Sequence, residues 1–356
     1  MTKRSILIID ESVVVRWSLT EALSRERTLT VAGSAASARI ALMKMPLLRP
    51  DVVLLDISLP GTDALETLMV IHEDYPGTLV IVLNAATDRA AAATIDALAV
   101  GAKDFVMKPD PAGRSDTSMQ TLSADIVSRI GAYPPAPAAA RVSAVTSPPR
   151  VAVAHRVDLV AIGVSTGGPS ALMELLPQLA KDFPAPIVIV QHMPPKFTKL
   201  LADRLAARCR VRVAEVGPRE ILKPGDVWIA PGDFHLTVER SGTAVVTRIH
   251  QDARENSCRP SVDVLFRSVA KTFGPHAMAV VMTGMGRDGV AGCHEIRAAG
   301  GQILVQDEAS AVVWGMPGLV VKAGLADQVV PLSGLAEAIA DRVSQHRRTQ
   351  GDLVGR

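Results

Sequence analysis

Residues 159–168 read LVAIGVSTGG, an apolar run that leads into a serine flanked by glycines. A helix-like stretch follows over residues 170–179, which gives the strand–turn–helix context in which G-x-S-x-G forms a nucleophile elbow. Gly163 and Gly167 permit the tight turn that would lift a serine hydroxyl clear of a sheet edge. The stretch predicts an α/β fold and makes Ser165 a candidate nucleophile.

The same glycine-rich turn also occurs at phosphate-binding sites and at tight helix entries, so the motif alone leaves these interpretations open. A dinucleotide site is disfavoured because the next predicted strand, 187–191, leads into His192 and not into an acidic residue that would hold a ribose. The sequence also contains no Gly-Lys-Ser/Thr for a nucleotide phosphate. Catalysis would need a base and an acid beside Ser165.

Two further polar residues follow predicted strands of the same region. His192 follows strand 187–191, and Asp288 lies in the glycine-rich loop after strand 279–283. The carboxyl ends of parallel strands share one edge of a sheet, so both residues can meet Ser165 there. A neutral imidazole can take the proton of a serine, and a carboxylate can fix the imidazole tautomer. Asp307, after strand 303–305, remains a rival for the acid.

The first third of the chain also alternates apolar runs with amphipathic segments. This alternation with short loops favours a parallel sheet covered by helices on both faces. Strands are predicted at 6–9, 52–55, 79–83 and 105–106, and helices near 14–24, 36–44, 64–72, 90–100 and 117–130. After residue 156 the strand candidates are 159–162, 187–191, 211–213, 227–230, 244–248, 279–283, 303–305 and 328–330.

Acidic residues and a lysine stand at the ends of the first strands. Asp10 and Glu11 follow the first strand, Asp56 follows 52–55, and Lys108 follows 105–106. Any one strand-end acid is more often a helix cap, but the four together can converge at one edge of the sheet. Clustered carboxylates with backbone oxygens suit Mg²⁺, and a nearby lysine can pair with a phosphoryl group on the central aspartate.

Composition limits the class of protein. The 356 residues have room for two domains, and a formal charge of +2 gives no electrostatic reason to expect nucleic acid. Three scattered cysteines fit a reducing cytosol better than a disulfide framework or a zinc site, and the histidines lack metal-ligand spacing. No apolar stretch approaches the roughly 20 residues that cross a bilayer, and the run at 5–9 is too short for a signal-peptide core. A cytoplasmic protein is expected.

The two α/β regions are separated by a segment rich in proline and alanine, which predicts a semi-stiff linker. The end of the chain is polar. The predicted divisions are a first domain at 1–130, a linker at 131–156, a second domain at 157–345 and a polar tail at 346–356.

Residues 3–130 resemble the receiver domain of two-component response regulators, on the acidic residues and lysine described above. The resemblance implies a flavodoxin-like doubly wound parallel sheet and phosphorylation of Asp56. It also implies Mg²⁺ held by Asp10, Glu11 and Asp56, with help from the carbonyl of Ser58.

The same resemblance implies a switch formed by Lys108, Asn84 and Phe105. Lys108 would sense the phosphoryl group. The family usually has threonine or serine where this chain has Asn84, and Phe105 lacks a hydroxyl.

Residues 157–343 resemble the catalytic domain of the chemotaxis receptor methylesterases, the protein-glutamate methylesterase and protein-glutamine glutaminase family. The resemblance implies an α/β methylesterase domain with a mainly parallel sheet and places the catalytic serine, histidine and aspartate on Ser165, His192 and Asp288. Thr166 and Met285 match positions near the family's oxyanion site. The matching stretches are GVSTGG at 163–168, QHMP at 191–194, CRPSVD at 258–263, TGMGRDG at 283–289 and GMPG at 315–318.

The resemblance implies a phosphorylation-regulated serine hydrolase that demethylates glutamate methyl esters and deamidates glutamines on chemoreceptors. Hydrolysis would need no cofactor. The partners would be methyl-accepting chemoreceptors as substrate and a chemotaxis histidine kinase as phosphodonor, with no nucleic acid and no insertion into a membrane. Two alternatives remain: a phosphorylation-gated receptor adaptor whose hydrolase-like domain is not catalytic, and the same enzyme in a non-motility chemosensory pathway.

Overall fold

The computed structural model describes residues 3–59, 64–85, 87–109, 118–133 and 156–351, with side chains as far as residue 344. The chain divides into two compact units, Met1–Ala140 and Arg141–Arg356. Most of the predicted linker, residues 134–155, lies outside the described residues. Within the described part, no helix has both the length and the apolar character that crossing a membrane requires.

The first unit is built on a parallel sheet whose strands alternate with helices. Its elements are β1 (Arg4–Ile9), α1 (Val13–Ser24), β2 (Leu29–Ala35), α2 (Ala38–Leu48), β3 (Val52–Asp56), α3 (Ala64–Asp74), β4 (Leu79–Asn84), α4 (Asp88–Val100), β5 (Asp104–Met107) and α5 (Met119–Ala132). The strand order is β2-β1-β3-β4-β5, and every pairing is parallel. Both faces of β3 and β4 are buried, as a sheet covered by helices requires. The predicted doubly wound fold is confirmed.

The strand order places the acidic residues of this unit together. From β1 the chain moves outward to β2 and then returns to β3 on the other side of β1. Ligands of doubly wound sheets bind at such a reversal, outside the carboxyl ends of the strands. Asp10 follows β1 and Asp56 ends β3, so the two carboxylates flank this position.

The second unit contains a seven-stranded parallel sheet and a separate antiparallel hairpin. Its strands are β6 (Leu159–Val164), β7 (Ile187–Gln191), β8 (Arg212–Glu215), β9 (Asp226–Ile229), β10 (His235–Ser241), β11 (Ala244–His250), β12 (Ala277–Val281), β13 (Gln302–Gln306) and β14 (Gln328–Val330). Its helices are α6 (Gly168–Leu175), α7 (Phe197–Ala206), α8 (Val262–Phe273), α9 (Val290–Ala298), α10 (Met316–Lys322) and α11 (Leu332–Gly351). The predicted α/β class with a mainly parallel sheet is confirmed. The backbone of α11 continues into the stretch predicted as a polar tail.

The large sheet also has a reversal of strand order. The order is β14-β13-β12-β6-β7-β9-β8, so the chain builds one side from β6 through β7 and the other side from β12. The carboxyl ends of β12, β6 and β7 therefore lie side by side where a ligand crevice is expected. Ser165 follows β6, and His192 follows β7.

Two strands were not predicted from the sequence. The edge strand β2 contains small and polar residues and is partly exposed, so it lacks the continuous apolar run of its neighbours. The strand β10 buries one face beside α8, where Ser268 Oγ accepts a hydrogen bond from the backbone N of Val238. The stretch predicted as a strand at 244–248 is part of β11, which pairs with β10 in the hairpin and not with the parallel sheet.

Candidate active site

The turn after β6 holds Ser165 by its backbone. Its N–H donates to the carbonyl of Thr283 at 3.0 Å, which ties the turn to the loop after β12. Its carbonyl accepts from the N–H of Gly168 at 2.8 Å and from Nε2 of Gln191 at 3.0 Å. These bonds fix the half-buried serine between the ends of β12 and β7.

Glycines allow the backbone to adopt this turn and to pack closely against neighbouring segments. Gly167 has a φ of 76°, in the left-handed region that favours glycine. A Cβ on Gly163 would lie 2.4 Å from Cγ1 of Val262. A Cβ on Gly284 would lie 2.8 Å from Cβ of Ser165, so the backbone of the β12 loop packs directly against the serine. The G-x-S-x-G pattern thus supplies both the turn and the space that the neighbouring segments occupy.

His192 lies beside this serine turn in the sheet register. Val164 pairs with Gln191, and the N–H of His192 donates to the carbonyl of Val164 at 3.2 Å. The ring Nε2 is 2.8 Å from Oδ2 of Asp288, and the His192 side chain is 13% exposed. The structure therefore joins two residues that are 96 positions apart in the sequence.

The carboxylate of Asp288 is buried and fully hydrogen-bonded. It lies at the N-terminus of α8, whose first N–H groups and dipole favour a negative charge. Six donors reach it at 2.7–3.1 Å: Nε2 of His192, Nδ2 of Asn256, Oγ of Ser261, and the backbone N–H groups of Val262, Asp263 and Gly289. This carboxylate is held too firmly to rotate away from the imidazole.

These contacts move the pKa values of the pair in opposite directions. Burial opposes the charge on Asp288, but the hydrogen bond and charge of His192 together with the backbone N–H groups lower its pKa to about 2. Burial likewise opposes the charge on His192, but its contacts with Asp288 and Cys258 raise the pKa of the imidazole to about 9. The carboxylate therefore stabilises the imidazolium form that a general base acquires during catalysis.

The second ring nitrogen of His192 faces a thiol. Sγ of Cys258 lies 3.7 Å from Nδ1, and the Ser165 hydroxyl makes no hydrogen bond to His192 within the described residues. Asp288 occupies Nε2, so Nδ1 is the ring nitrogen left for the proton of the predicted serine nucleophile. Catalytic hydrogen bonds of ligand-free sites commonly tighten only when substrate binds. Cys258 thus stands at the nitrogen that the predicted chemistry needs.

The rival acid, Asp307, serves another purpose in the structure. Its Oδ1 accepts hydrogen bonds from the backbone N–H and the hydroxyl of Ser310, in the turn that follows β13. Asp288 is the carboxylate in contact with His192. The fold therefore distinguishes two candidates that sequence spacing left open.

The two residues predicted near the oxyanion site lie on either side of the serine. Thr166 follows it in the turn, is buried, and accepts a hydrogen bond on its carbonyl from Oγ1 of Thr283 at 2.9 Å. Met285 follows the glycine that packs against Ser165, and its side chain is 39% exposed. Both residues are therefore close to Ser165 in the chain or in the fold, and their part in an oxyanion site stays a prediction.

An open cavity of about 450 Å³ lies beside the imidazole and the thiol. Its rim carries Arg254 and Arg259, and the guanidinium of Arg259 is anchored by Asp233 Oδ1 at 2.8 and 3.1 Å. The lining residues are His192, Met193, Pro194, Pro195, Asp233, Arg254, Ser257, Cys258, Arg259 and Pro260. A substrate segment therefore has room to reach His192 past a cationic rim.

Sequence reasoning gave no role to several residues of this site. Ser261 and Asn256 orient Asp288 directly, and Cys258 faces His192. One available signal was the Ser-Val-Asp sequence at 261–263, where an amphipathic helix begins, since serine favours a helix N-terminus. No local spacing could show that this helix start receives a carboxylate from another loop.

The acidic residues of the first unit converge as predicted for Asp10, Asp56 and Lys108. Both carboxylates are almost fully buried, and Lys108 Nζ lies 3.1 Å from Oδ2 of Asp10 and 2.8 Å from Oδ2 of Asp56. Burial and the neighbouring charge of Asp56 raise the pKa of Asp10. Glu11 is exposed beside this cluster. Two carboxylates opposite one ammonium leave excess negative charge, and that donor set fits a hard divalent cation such as Mg²⁺.

The two remaining switch positions are buried. Nδ2 of Asn84 donates to the carbonyl of Ala90 at 3.0 Å and to Oγ1 of Thr94, so both amide hydrogens have acceptors within α4. Phe105 lies in β5 with little exposure. As placed, Asn84 offers no spare donor to a phosphoryl group on Asp56.

Both units of the chain match known protein families. Residues 160–339 match the family described as CheB methylesterase, and residues 6–115 match the response regulator receiver domain. The chain is 45% identical over 353 residues to a protein-glutamate methylesterase/protein-glutamine glutaminase of Trichodesmium erythraeum, covering 96% of this chain and all of that one. A protein of the same name from a Nocardioides species is 41% identical over 356 residues, covering 96% of each chain.

A solved structure resembles the second unit. The crystal structure of the Thermotoga maritima CheB methylesterase catalytic domain is 41% identical, with a TM-score of 0.51, and the match covers 52% of this chain and 99% of that one. This match covers the domain in which His192 and Asp288 meet, and the relatives described above align along nearly the whole chain. The chain therefore belongs to the CheB methylesterase family, with a response regulator receiver domain preceding its methylesterase domain.

Proposed function

We propose that this protein is a phosphorylation-regulated serine hydrolase that converts glutamate methyl esters, and glutamines, to glutamate on chemoreceptors. The observation that carries the proposal is the 2.8 Å contact between His192 Nε2 and Asp288 Oδ2, beside the Ser165 turn. Relatives aligned along nearly the whole chain, at 41% and 45% identity, are named for both activities and support the choice of substrate.

In this proposal each side chain has a role in ester hydrolysis. The hydroxyl of Ser165 attacks the side-chain ester carbonyl while Nδ1 of His192 takes its proton. Asp288 accepts a hydrogen bond from Nε2–H, which keeps the lone pair at Nδ1 and stabilises the imidazolium that forms. The imidazolium then protonates the departing methoxide, and methanol leaves.

Water completes the reaction. His192 takes a proton from a water molecule that attacks the acyl-enzyme and returns it to Oγ of Ser165 as the acyl bond breaks. The released side chain is a carboxylic acid, which loses its proton to solvent and becomes glutamate. With a glutamine substrate, ammonia is the leaving group of the first half-reaction. Backbone N–H groups at Thr166 and Met285 are the proposed donors to the oxyanion, and one such donor contributes roughly 3–4 kcal/mol to lowering the barrier.

The receiver domain supplies the regulation in this proposal. Asp56 accepts a phosphoryl group from a chemotaxis histidine kinase, and Lys108 pairs with the added negative charge. Asp10, Glu11 and Asp56 would hold Mg²⁺, which when bound supplies positive charge to the phosphoryl oxygens. The chemoreceptor substrate places the protein at the cytoplasmic parts of receptors.

The proposal is tested on a methylated, glutamine-containing chemoreceptor fragment incubated with the full-length protein. We expect methanol release and mass spectra in which methyl esters and glutamines become glutamate. Ser165→Ala should abolish both products, whereas Ser241→Ala, at the end of β10, should retain them.

The adaptor alternative makes a different prediction in the same experiment. An adaptor would bind the receptor fragment without releasing methanol, and Ser165→Ala would change nothing.

The regulatory part of the proposal is tested with a small phosphodonor. Its addition should raise the rate of the wild type and leave the rate of Asp56→Asn unchanged. An unchanged wild-type rate would contradict the regulatory part of the proposal.

A further inference from the structure

The thiol of Cys258 and the imidazole of His192 have the separation of two ligands on one metal ion. Sγ lies 3.7 Å from Nδ1. In a tetrahedral zinc site with Zn–S near 2.3 Å and Zn–N near 2.0–2.1 Å, the sulfur and nitrogen are roughly 3.6 Å apart. The observed pair therefore needs little movement to accept such an ion between the two atoms.

The other side of the imidazole is arranged as in zinc sites. A metal-bound histidine usually donates its second ring N–H to a carboxylate, which fixes the tautomer and strengthens the ligand. Here Nε2 contacts Oδ2 of Asp288 at 2.8 Å, and five further donors hold that carboxylate in place. The lone pair is thereby directed to Nδ1, toward the thiol.

The pair is also accessible. His192 and Cys258 are both partly exposed, and both line the open cavity of about 450 Å³. Ligand atoms of His192, Cys258 and Asp288 all lie within 4.8 Å of one another among the described residues. Water molecules in the cavity can fill the coordination positions that the protein leaves open.

We propose that Cys258 and His192 bind a thiophilic divalent metal ion such as Zn²⁺, and that this binding reversibly inhibits the hydrolase. The ion bonds to Sγ as the thiol loses its proton to solvent, and it takes the lone pair of Nδ1. Asp288 stays on Nε2 as the orienting carboxylate. Ser165 then has no neutral nitrogen to receive its proton, so nucleophilic attack stops until the metal leaves.

The metal site itself does not depend on the proposed function, whereas the inhibition does. Local sequence patterns could not reveal the site because the two ligands are 66 residues apart. The scattered cysteines and the absence of metal-ligand spacing argued against zinc at the sequence level, and the fold brings the pair together nonetheless. Cys209 is half-buried and serves as a matched control for cysteine replacement.

Metal binding is measured first on the metal-free full-length protein, with Co²⁺ as the spectroscopic probe and Zn²⁺ in equilibrium dialysis. We expect one equivalent of Co²⁺ to give a thiolate-to-cobalt absorption band that Zn²⁺ displaces. Cys258→Ser and His192→Ala should abolish that band and weaken Zn²⁺ binding at least tenfold. Cys209→Ser should retain both. Circular dichroism of each variant establishes that it is folded.

Inhibition is measured next as methyl ester hydrolysis with increasing Zn²⁺. The wild type should lose activity at the concentration that fills the site, and a chelator should restore it. Cys258→Ser and Cys258→Ala should need at least tenfold more Zn²⁺ for half-inhibition. The metal site is overturned if the cobalt band is absent or persists in folded Cys258 variants. If metal binds normally but the wild type hydrolyses no ester, the proposed function fails and the metal site stands.

Discussion

The two units bury carboxylates at equivalent places in their sheets, but the negative charge is stabilised by different partners in each unit. Asp10 and Asp56 flank the reversal of strand order in the receiver, and Asp288 lies at the corresponding edge of the methylesterase sheet. The receiver pair shares one cation, Lys108. Asp288 alone accepts six hydrogen bonds, one of them from His192.

The pKa values follow from this difference. Burial and the charge of Asp56 raise the pKa of Asp10, whereas the donors around Asp288 lower its pKa to about 2 despite burial. Burial by itself disfavours a carboxylate, and the number of donors and cations decides the outcome. The receiver site is therefore poised to take up positive charge, while the methylesterase carboxylate is already satisfied and serves to orient an imidazole.

Among the changes that test this comparison, the largest loss of activity is expected from removing the charge of Asp288. Asp288→Asn places an amide where His192 needs an acceptor, and an amide N–H there would favour the wrong imidazole tautomer. We expect kcat for ester hydrolysis to fall by roughly 10³–10⁴-fold, as for the corresponding change in serine proteases. Asp307→Asn is the matched control and should retain nearly full activity. Equal losses in the two variants would contradict the role given to Asp288.

The pH dependence of ester hydrolysis tests the raised pKa of His192, which Asp288 helps to stabilise in its charged form. His192 acts as a base only when neutral, and its contacts with Asp288 and Cys258 raise its pKa to about 9. With chelator present, kcat/KM should therefore rise about tenfold per pH unit below that value and level off above it. The measurement is kcat/KM for a methyl ester between neutral pH and the alkaline limit of folding. A limb near the ordinary histidine pKa would show that the resting contacts do not persist in the free enzyme.

Added Mg²⁺ should bind at the carboxylates of the receiver, where negative charge is in excess, and not at Asp288, whose oxygens already accept six hydrogen bonds. A ligand at a hundred times its Kd stabilises a folded protein by about 2.7 kcal/mol, so Mg²⁺ should raise the unfolding temperature of the receiver transition. Asp56→Asn should lose most of this response because a carboxylate ligand is gone. Asp288→Asn should keep it. Calorimetry of the full chain with and without Mg²⁺ is the measurement, and a response retained in Asp56→Asn would contradict the proposed site.

The position of the polar residues at the sheet edges was largely predictable from sequence, because the carboxyl ends of parallel strands lie at one edge. Apolar runs located β1, β3, β6 and β7. The acidic residues after β1 and β3 meet at Lys108 as expected, and His192 after β7 meets Asp288, whereas a contact of the Ser165 hydroxyl with His192 stays a prediction. The edge strand β2 and the hairpin strand β10 were missed, because partial exposure removes the continuous apolar signal on which the prediction rests.

The supporting residues of the site were less predictable. The hydrogen bonds from Ser261 and Asn256 to Asp288, and the position of Cys258, depend on how a loop and a helix start fold over a distant strand end. Such contacts have no fixed sequence spacing. Spacing alone left Asp288 and Asp307 as alternatives for the same reason, since each follows a parallel strand, and only the family resemblance favoured Asp288 before the coordinates showed its contact with His192.

The smallest expected effect concerns the coupling between phosphorylation and activity. Asn84 uses both amide hydrogens within α4, and its Oδ1 is buried without a hydrogen-bond partner among the described residues. Asn84→Thr would remove that unsatisfied acceptor and place a free hydroxyl near Asp56. The net contribution of one added hydrogen bond is typically about 0.5–1.5 kcal/mol, so we expect phosphodonor stimulation of ester hydrolysis to grow by roughly twofold to tenfold.

The stimulated and basal rates of Asn84→Thr are compared with those of the wild type under the same phosphodonor. The double variant Asp56→Asn/Asn84→Thr is the control and should show no stimulation, because the hydroxyl acts only through a phosphoryl group. A larger basal rate with unchanged stimulation would mean that residue 84 acts through packing against α4. An increased ratio that depends on Asp56 would instead show that the receiver site, unlike the methylesterase site, still lacks a donor that its chemistry can use.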